Sequence, residues 1–307
     1  MKKIFYCLLL IAAVHNQTVF ACNACGCSAS NQYMGLLPQT NTSFFGFQYL
    51  YRGFNAVHPD DGGTVMPGTS HEQYQTFQLW GRVNITKSLQ LLAFVPYTTN
   101  TQHQIAMPAN TISGMGDASV ILNYKIIDKD NCAWHHKLIA GAGIKLPTGK
   151  YDPQSTVADE GLPNMQPGTH SWDVLSSINY TIRRRSIGVN IDVSYTATTP
   201  NKESYKFGNR FSNGLLGFYQ FQKDKFMIIP QAGLRYDHAM KDYTNYAAGV
   251  MDDDGGGWQL YASQGVQTYY KKIGFQLMCY EPIAQHYISG LVNTKLRVEA
   301  GLIIMVK

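Results

Sequence analysis

The feature that most constrains this chain is an apolar/polar alternation of period two, recurring in segments whose connections are short, then long, then short again. Over residues 117–126, Ala118, Val120, Leu122, Tyr124 and Ile126 fall on one face. Asp117, Ser119, Asn123 and Lys125 fall on the other, with Ile121 the exception. Successive side chains of a strand point to opposite faces, so such a segment separates an oily side from a wet one. A long series of them with alternating connection lengths predicts an all-β fold, a transmembrane antiparallel up-and-down β-barrel in an outer membrane.

Twelve candidate strands run approximately over 42–54, 73–85, 89–100, 116–127, 135–147, 170–181, 186–198, 207–221, 226–237, 258–269, 273–282 and 294–306. In the seventh, Ile187, Val189, Ile191, Val193, Tyr195 and Ala197 face outward. In the last, Leu296, Val298, Ala300, Leu302, Ile304 and Val306 face lipid, with Lys295, Arg297 and Glu299 inward. The connections at 86–88, 128–134, 182–185, 222–225 and 270–272 are short and polar. Those at 55–72, 101–115, 148–169, 199–206, 238–257 and 283–293 are longer. An even strand number, short periplasmic turns, long external loops and both termini on the short-turn side agree with one another. Segments of about 10–13 residues also exceed the roughly 5–6 of ordinary strands, which argues against a soluble sandwich.

The ends give the compartment. Lys2 and Lys3 precede an apolar run from Ile4 to Val14, and Val19-Phe20-Ala21 forms a cleavage site. The expected organisation is a Sec signal peptide over 1–21, a Cys-containing periplasmic segment over 22–41 and the barrel over 42–307. Outside the signal peptide, no apolar stretch reaches the length of a transmembrane helix. The expected location is the outer membrane of a Gram-negative bacterium. The chain is 15% charged, below the roughly 25% of average soluble proteins. Its 20 Tyr and 14 Phe suit aromatic girdles at two interfaces. The net charge of +5 is dispersed and implies no nucleic-acid partner.

At Ser113-Gly114-Met115-Gly116-Asp117 and the strand that continues to Tyr124-Lys125, the sequence resembles the outer-membrane transporter family named for the meta-pathway of phenol degradation. Phe94-Val95-Pro96-Tyr97 and Lys145-Leu146-Pro147-Thr148-Gly149-Lys150-Tyr151 fit the same pattern, and the match is strongest over residues 75–152. The resemblance implies a passive channel for small hydrophobic or aromatic cargo, with outer-membrane lipid as its surroundings. It identifies no binding residue.

Physically, Gly114 and Gly116 are expected to permit backbone conformations that a Cβ disfavours. Asp117 would be the first inward carboxylate below the mouth, able to pair with Lys145 or Arg82 or to cap backbone amides. The expected lumen-facing, selectivity-setting residues are Arg82, Asp117, Lys125, Lys145, Asp173, Asp192, Arg235, Arg297 and Glu299.

Cys22-x-x-Cys25-x-Cys27 is the sharpest local motif, and Cys132, in an expected periplasmic turn, could add a fourth thiolate. Copper or zinc binding, lipidation of Cys22 and a local disulfide all remain open for this segment, as does a periplasmic partner. A metal-handling outer-membrane protein is therefore the alternative to a channel; no other cofactor is implied. His58, His71, His103, His170, His238 and His286 gather at expected loops or mouths with Met66, Met107, Met165, Met240 and Met251, but without chelating spacing. Asp252-Asp253-Asp254 followed by Gly255-Gly256-Gly257 reads as a solvated loop tip. No Gly-x-Ser-x-Gly or His-Glu-x-x-His occurs, so the chain is not read as an enzyme.

Overall fold

The alternating segments pair edge to edge until the first meets the last. A computed structural model describes residues 41–58, 68–104, 108–131, 133–152, 163–252 and 255–306. The expected signal peptide, most of the expected Cys-containing segment with Cys22, Cys25 and Cys27, and Cys132 lie outside the described residues. The strands are β1 Ser43–His58, β2 Gly68–Asn84, β3 Leu89–Gln104, β4 Asn110–Met115, β5 Ser119–Asn131, β6 Trp134–Lys145, β7 Asp173–Arg184 and β8 Ile187–Thr198. They continue as β9 Arg210–Tyr219, β10 Phe221–Lys223, β11 Phe226–Ala239, β12 Tyr243–Asn245, β13 Val250–Met251, β14 Gly257–Tyr270, β15 Ile273–Tyr287 and β16 Val292–Val306.

All but β12 and β13 form one antiparallel sheet, in which β4 with β5 and β9 with β10 are halves of single staves. The wall therefore has twelve staves. It closes where β1 pairs with β16, from Ser43 opposite Val306 to Ala56 opposite Val292, and where β9 pairs with β11. Closure leaves no open edge, which hydrocarbon would not tolerate. β12 and β13 make a small hairpin in the long connection between β11 and β14.

The alternation holds along the wall. On β2, Tyr74, Thr76, Gln78, Trp80 and Arg82 are buried inward, while Phe77, Leu79 and Val83 are exposed. The outer surface carries Phe45, Phe47, Leu122, Ile144, Val174, Ile178, Ile191, Leu215, Phe275 and Leu302, a continuous apolar belt that only lipid can cover. Trp134, Tyr219, Phe221, Phe226 and Tyr270 gather at the short-turn end, and Trp172, Tyr236 and Trp258 toward the long-loop end.

Three local departures matter. The expected strand over 116–127 is broken: β4 pairs with the outer half of β3 and β5 with the inner half, separated by Gly116-Asp117-Ala118. The end of the expected loop 101–115 is thus strand. Pro96 sits on β3 at this break, where its missing N–H removes no ladder bond toward β4 or β5. Gly116 has no unusual φ; it is needed because an added Cβ would lie 2.9 Å from Pro96 Cγ. A bulge on β5 between Lys125 and Ile127 sets Lys125 and Asp128 on the same inward side. A second bulge, on β16 opposite Gly53, places Thr294 inward and leaves Lys295 exposed, correcting the expected inward position of Lys295.

The depth of a lipid-facing position sets what a charge there costs. Ile178, exposed in the middle of β7, should lose ~2–4 kcal/mol of stability when changed to Arg, and Ile187, at the short-turn end of β8, only ~0–1. Urea unfolding in lipid vesicles measures the difference.

Candidate functional site: a layered lumen

Inward positions divide into layers from the long-loop end to the short-turn end. At the mouth, Phe54 and Ala56 of β1, Tyr74 of β2, Ile112 of β4, Tyr287 of β15 and Val292 of β16 pack with Met165 and Ile288 into a buried apolar cluster. Met165 belongs to the long connection between β6 and β7, which folds into the barrel opening. Its backbone carbonyl accepts a bond from Asn100 Nδ2 at 2.9 Å. Level with Phe54, and one inward step nearer the long loops than Tyr74, the buried Glu72 accepts from Tyr74 Oη at 2.8 Å, Ser70 Oγ at 3.3 Å and Gln102 Nε2 at 3.4 Å.

Asp117 holds this connection in place. Its Oδ1 accepts from the amide of Gly149 at 2.9 Å, and its Oδ2 from the amide and hydroxyl of Thr169 at 2.9 and 2.6 Å. Lys145 Nζ lies 3.2 Å from Asp117 Oδ2 and 2.7 Å from Asp173 Oδ2. Ser171 Oγ donates to Asp173 Oδ1 at 3.1 Å. One carboxylate therefore ties both ends of the connection together, on residues 149 and 169. Gly149 and Gly168 make this approach physically available: a Cβ on Gly149 would lie 2.5 Å from the Gly168 Cα. Outside the membrane, the buried Asp242 accepts from Tyr205 Oη and from the Gly208 amide at 2.6 Å. Burial pushes the Asp242 carboxyl above the ordinary carboxylate range, and burial with the Asp242 charge pushes the Tyr205 phenol up.

At mid-depth the lumen is crossed by ion pairs. Arg235 Nε lies 2.9 Å from Asp237 Oδ1, and Arg297 Nη1 lies 3.3 Å from Asp237 Oδ2. Arg297 Nη2 meets Glu299 Oε1 at 2.5 Å, its guanidinium stacks on the Tyr280 ring at 4.9 Å, and Arg235 reaches Asp192 at 3.9 Å. The Arg297–Asp237 bond joins β16 to β11 over the intervening β14 and β15, so it is a chord of the barrel. A cavity of about 40 Å³, large enough for a few waters, adjoins Arg52, Phe54, Arg210, Asp237, Tyr261 and Arg297.

Toward the short-turn end follows an apolar and aromatic band of Phe44, Trp80, Leu92, Phe94, Ile121, Leu175 and Ile303. Phe44 and Trp80 meet edge to face at 4.7 Å, and Trp80 stacks on Phe94 at 5.9 Å. Arg82 donates to the Thr42 carbonyl at 2.8 Å and lies over the Phe44 ring at 5.1 Å. Lys125 pairs with Asp128 at 3.1 Å.

The structure thus gathers Asp117, Lys145 and Asp173 in one cluster and Asp192, Arg235, Arg297 and Glu299 in another. Arg82 and Lys125 stand apart from both, near the short turns, so the pairing of Asp117 is with Lys145 rather than Arg82. Asp237, Glu72 and Lys137 were absent from the sequence-based set. Asp237 shares the parity of Arg235 and Lys137 that of Lys145, which places each on the inward side. Met165 is a plug residue rather than a surface ligand, and His71 pairs with Asn55 at 2.8 Å. Asp253 and Asp254 lie outside the described residues, and among the described residues no group of His, Cys, Asp and Glu could hold a metal.

Removing the charge shared by two buried guanidiniums should be costly. Asp237→Asn is expected to destabilise the barrel by ~3–5 kcal/mol, read as a lower urea midpoint at unchanged slope.

No protein-family model matches the chain, and no curated protein matches it. Among solved structures, the chain is similar to an outer membrane channel from Pseudomonas putida F1, with a TM-score of 0.64 at 13% identity, over 87% of this chain and 96% of that one. The β domain of the Bordetella autotransporter BrkA matches with a TM-score of 0.48 at 9% identity, over 86% of this chain and 99% of that one. LpxR from Salmonella typhimurium matches with a TM-score of 0.44 at 11% identity, over 84% and 100%. The first of these bears out, at the level of fold, the resemblance carried by Gly114 to Lys125: this is an outer-membrane β-barrel of twelve staves.

Proposed function

We propose that the barrel is a passive outer-membrane channel for small hydrophobic or aromatic compounds. The observation that carries this reading is the apolar cluster of Phe54, Tyr74, Ile112, Met165 and Tyr287 at the external entrance, with a second apolar and aromatic band beyond the ion pairs. A hydrated solute gains nothing from such an entrance and loses water to enter it, whereas an apolar solute is stabilised by leaving water. The P. putida protein of similar fold is itself a channel, which supports the general activity.

Passage follows from the layers. A solute lodges against the mouth cluster, displaces the Met165 connection and then slides along the inward wall past the ion-paired waist. Selectivity belongs to the mouth and to the wall charges, including Arg82, Asp117, Lys125, Lys145, Asp173, Asp192, Arg235, Arg297 and Glu299. The resting barrel is narrow because the connection held by Asp117 occupies its opening.

The test uses intact cells, whose lipopolysaccharide leaflet slows direct entry of apolar compounds. Cells producing the protein should take up a labelled small aromatic compound faster than cells lacking it, with no gain for a sugar of similar size. Equal gain for both, or for neither, overturns the reading. Asp117→Ala, which frees both ends of the connection, should increase open-state conductance in planar bilayers severalfold. Gly149→Val should do the same by forcing the two strands of the connection apart.

A further inference from the structure

The geometry points to a binding site for a small organic carboxylate at the periplasmic mouth, formed by Lys125 and Lys137 beneath the aromatic band of the lumen. This deepens the channel reading by naming an anionic, apolar-bodied cargo class, and rests on that reading only for its part in transport.

Two ammonium groups converge on one neutral oxygen there. Lys125 Nζ lies 3.2 Å and Lys137 Nζ 3.0 Å from Asn41 Oδ1. Lys137 is 1% exposed. Among the described residues no carboxylate lies within ion-pair distance of it, and Asp128, the acid nearby, is bound to Lys125. The segment 22–41 contains no Asp or Glu. An amide oxygen is a weaker acceptor than a carboxylate, and a carboxylate replacing it would form a charge-assisted bond to each lysine.

The body of the ligand is specified by what lies around these lysines. An open cleft of about 740 Å³, lined by Asn41, Lys125 to Lys129 and the turn from Asn84 to Ser88, reaches Lys125 and Asn41 but not the buried Lys137, which a ligand meets only by displacing the Asn41 amide. On the lumen side, the inward positions of β5 run from Lys125 through Asn123 to Ile121. Ile121 packs with Phe44, Trp80, Leu92 and Phe94. Arg82 lies over Phe44 between the two regions. The apolar and aromatic wall begins about 13 Å along β5 from Lys125, beyond Asn123, so a ligand whose carboxylate sits on the lysines is favoured when its ring or hydrocarbon body extends toward that wall. A fully hydrated inorganic anion has no use for that wall.

The experiment is calorimetric titration of the purified full-length barrel with benzoate, with its neutral isostere benzamide and with inorganic phosphate. Benzoate should bind at least about tenfold tighter than either comparator. Lys125→Gln with Lys137→Gln should abolish the difference. Asp128→Asn, which removes the competing acid, should tighten benzoate binding severalfold; that variant keeps the test decisive if the double lysine variant does not fold. Benzamide binding as tightly as benzoate, phosphate binding as tightly, or benzoate binding unmoved by Asp128→Asn and the lysine changes overturns the proposal. Binding with no cellular uptake would sink the channel reading and leave the site standing. Uptake without carboxylate-dependent binding would do the reverse.

Discussion

Everything in this structure depends on one constraint: in hydrocarbon, each backbone N–H and C=O needs a partner within the protein. A sheet meets it by closing, as β1 does on β16 and β9 on β11. Closure then assigns every side chain to lipid or to lumen, with no third environment along the wall. Polar residues have to be accommodated inside, and the charges there must answer one another across the barrel. The chord from Arg297 to Asp237 is a consequence of that sorting.

The inward charges are not spread evenly. The outer cluster sets two carboxylates, Asp117 and Asp173, around the single ammonium of Lys145. The waist opposes Arg235 and Arg297 to Asp192, Asp237 and Glu299, with Arg52 at hand. The short-turn end collects Arg82, Lys125 and Lys137 with Asp128 as a nearby acid. Carboxylates near the mouth are useful because they accept from backbone amides, and Asp117 folds the long connection through such bonds. At the other end Arg82 donates to a backbone carbonyl, whereas Lys125 and Lys137 donate to side-chain oxygens. Lys125 is answered by Asp128, while Lys137 meets the neutral oxygen of Asn41.

The strands were legible because period two is a local property, and the twelve-stave count followed from connections of alternating length. What escaped was set by single insertions and by register. The bulge opposite Gly53 shifts the parity of β16 by one residue, so Lys295 leaves the lumen although Arg297 stays. The bulge at Lys125 brings Asp128 inward, against simple alternation. The break at Gly116-Asp117-Ala118 was read as uninterrupted strand because Asp117 keeps the inward parity; its carboxylate, however, caps a loop. Gly116 stood out in the sequence for its backbone freedom, yet its role is to clear Pro96. Inward parity also marked most charged lumen residues, but which of them meet depends on how strands several places apart are staggered, and no local pattern carries that.

A barrel of twelve staves lies between the filled eight-stranded case and the open porins, so its lumen can be closed by side chains only with help from a loop. Here the help comes from the connection that carries Met165, and it is fastened by a carboxylate at the break between β4 and β5. Placing the anchor at the break has a mechanical consequence. The residues around Asp117 lie outside the regular ladder, so releasing the connection breaks side-chain bonds to Gly149 and Thr169 without opening strand pairs. The wall can remain sealed against lipid while its mouth changes, and the ion-paired waist keeps the barrel's cross-section fixed during that change. Closure of the sheet and closure of the mouth are thus assigned to different interactions, so the mouth can rearrange without disturbing the wall.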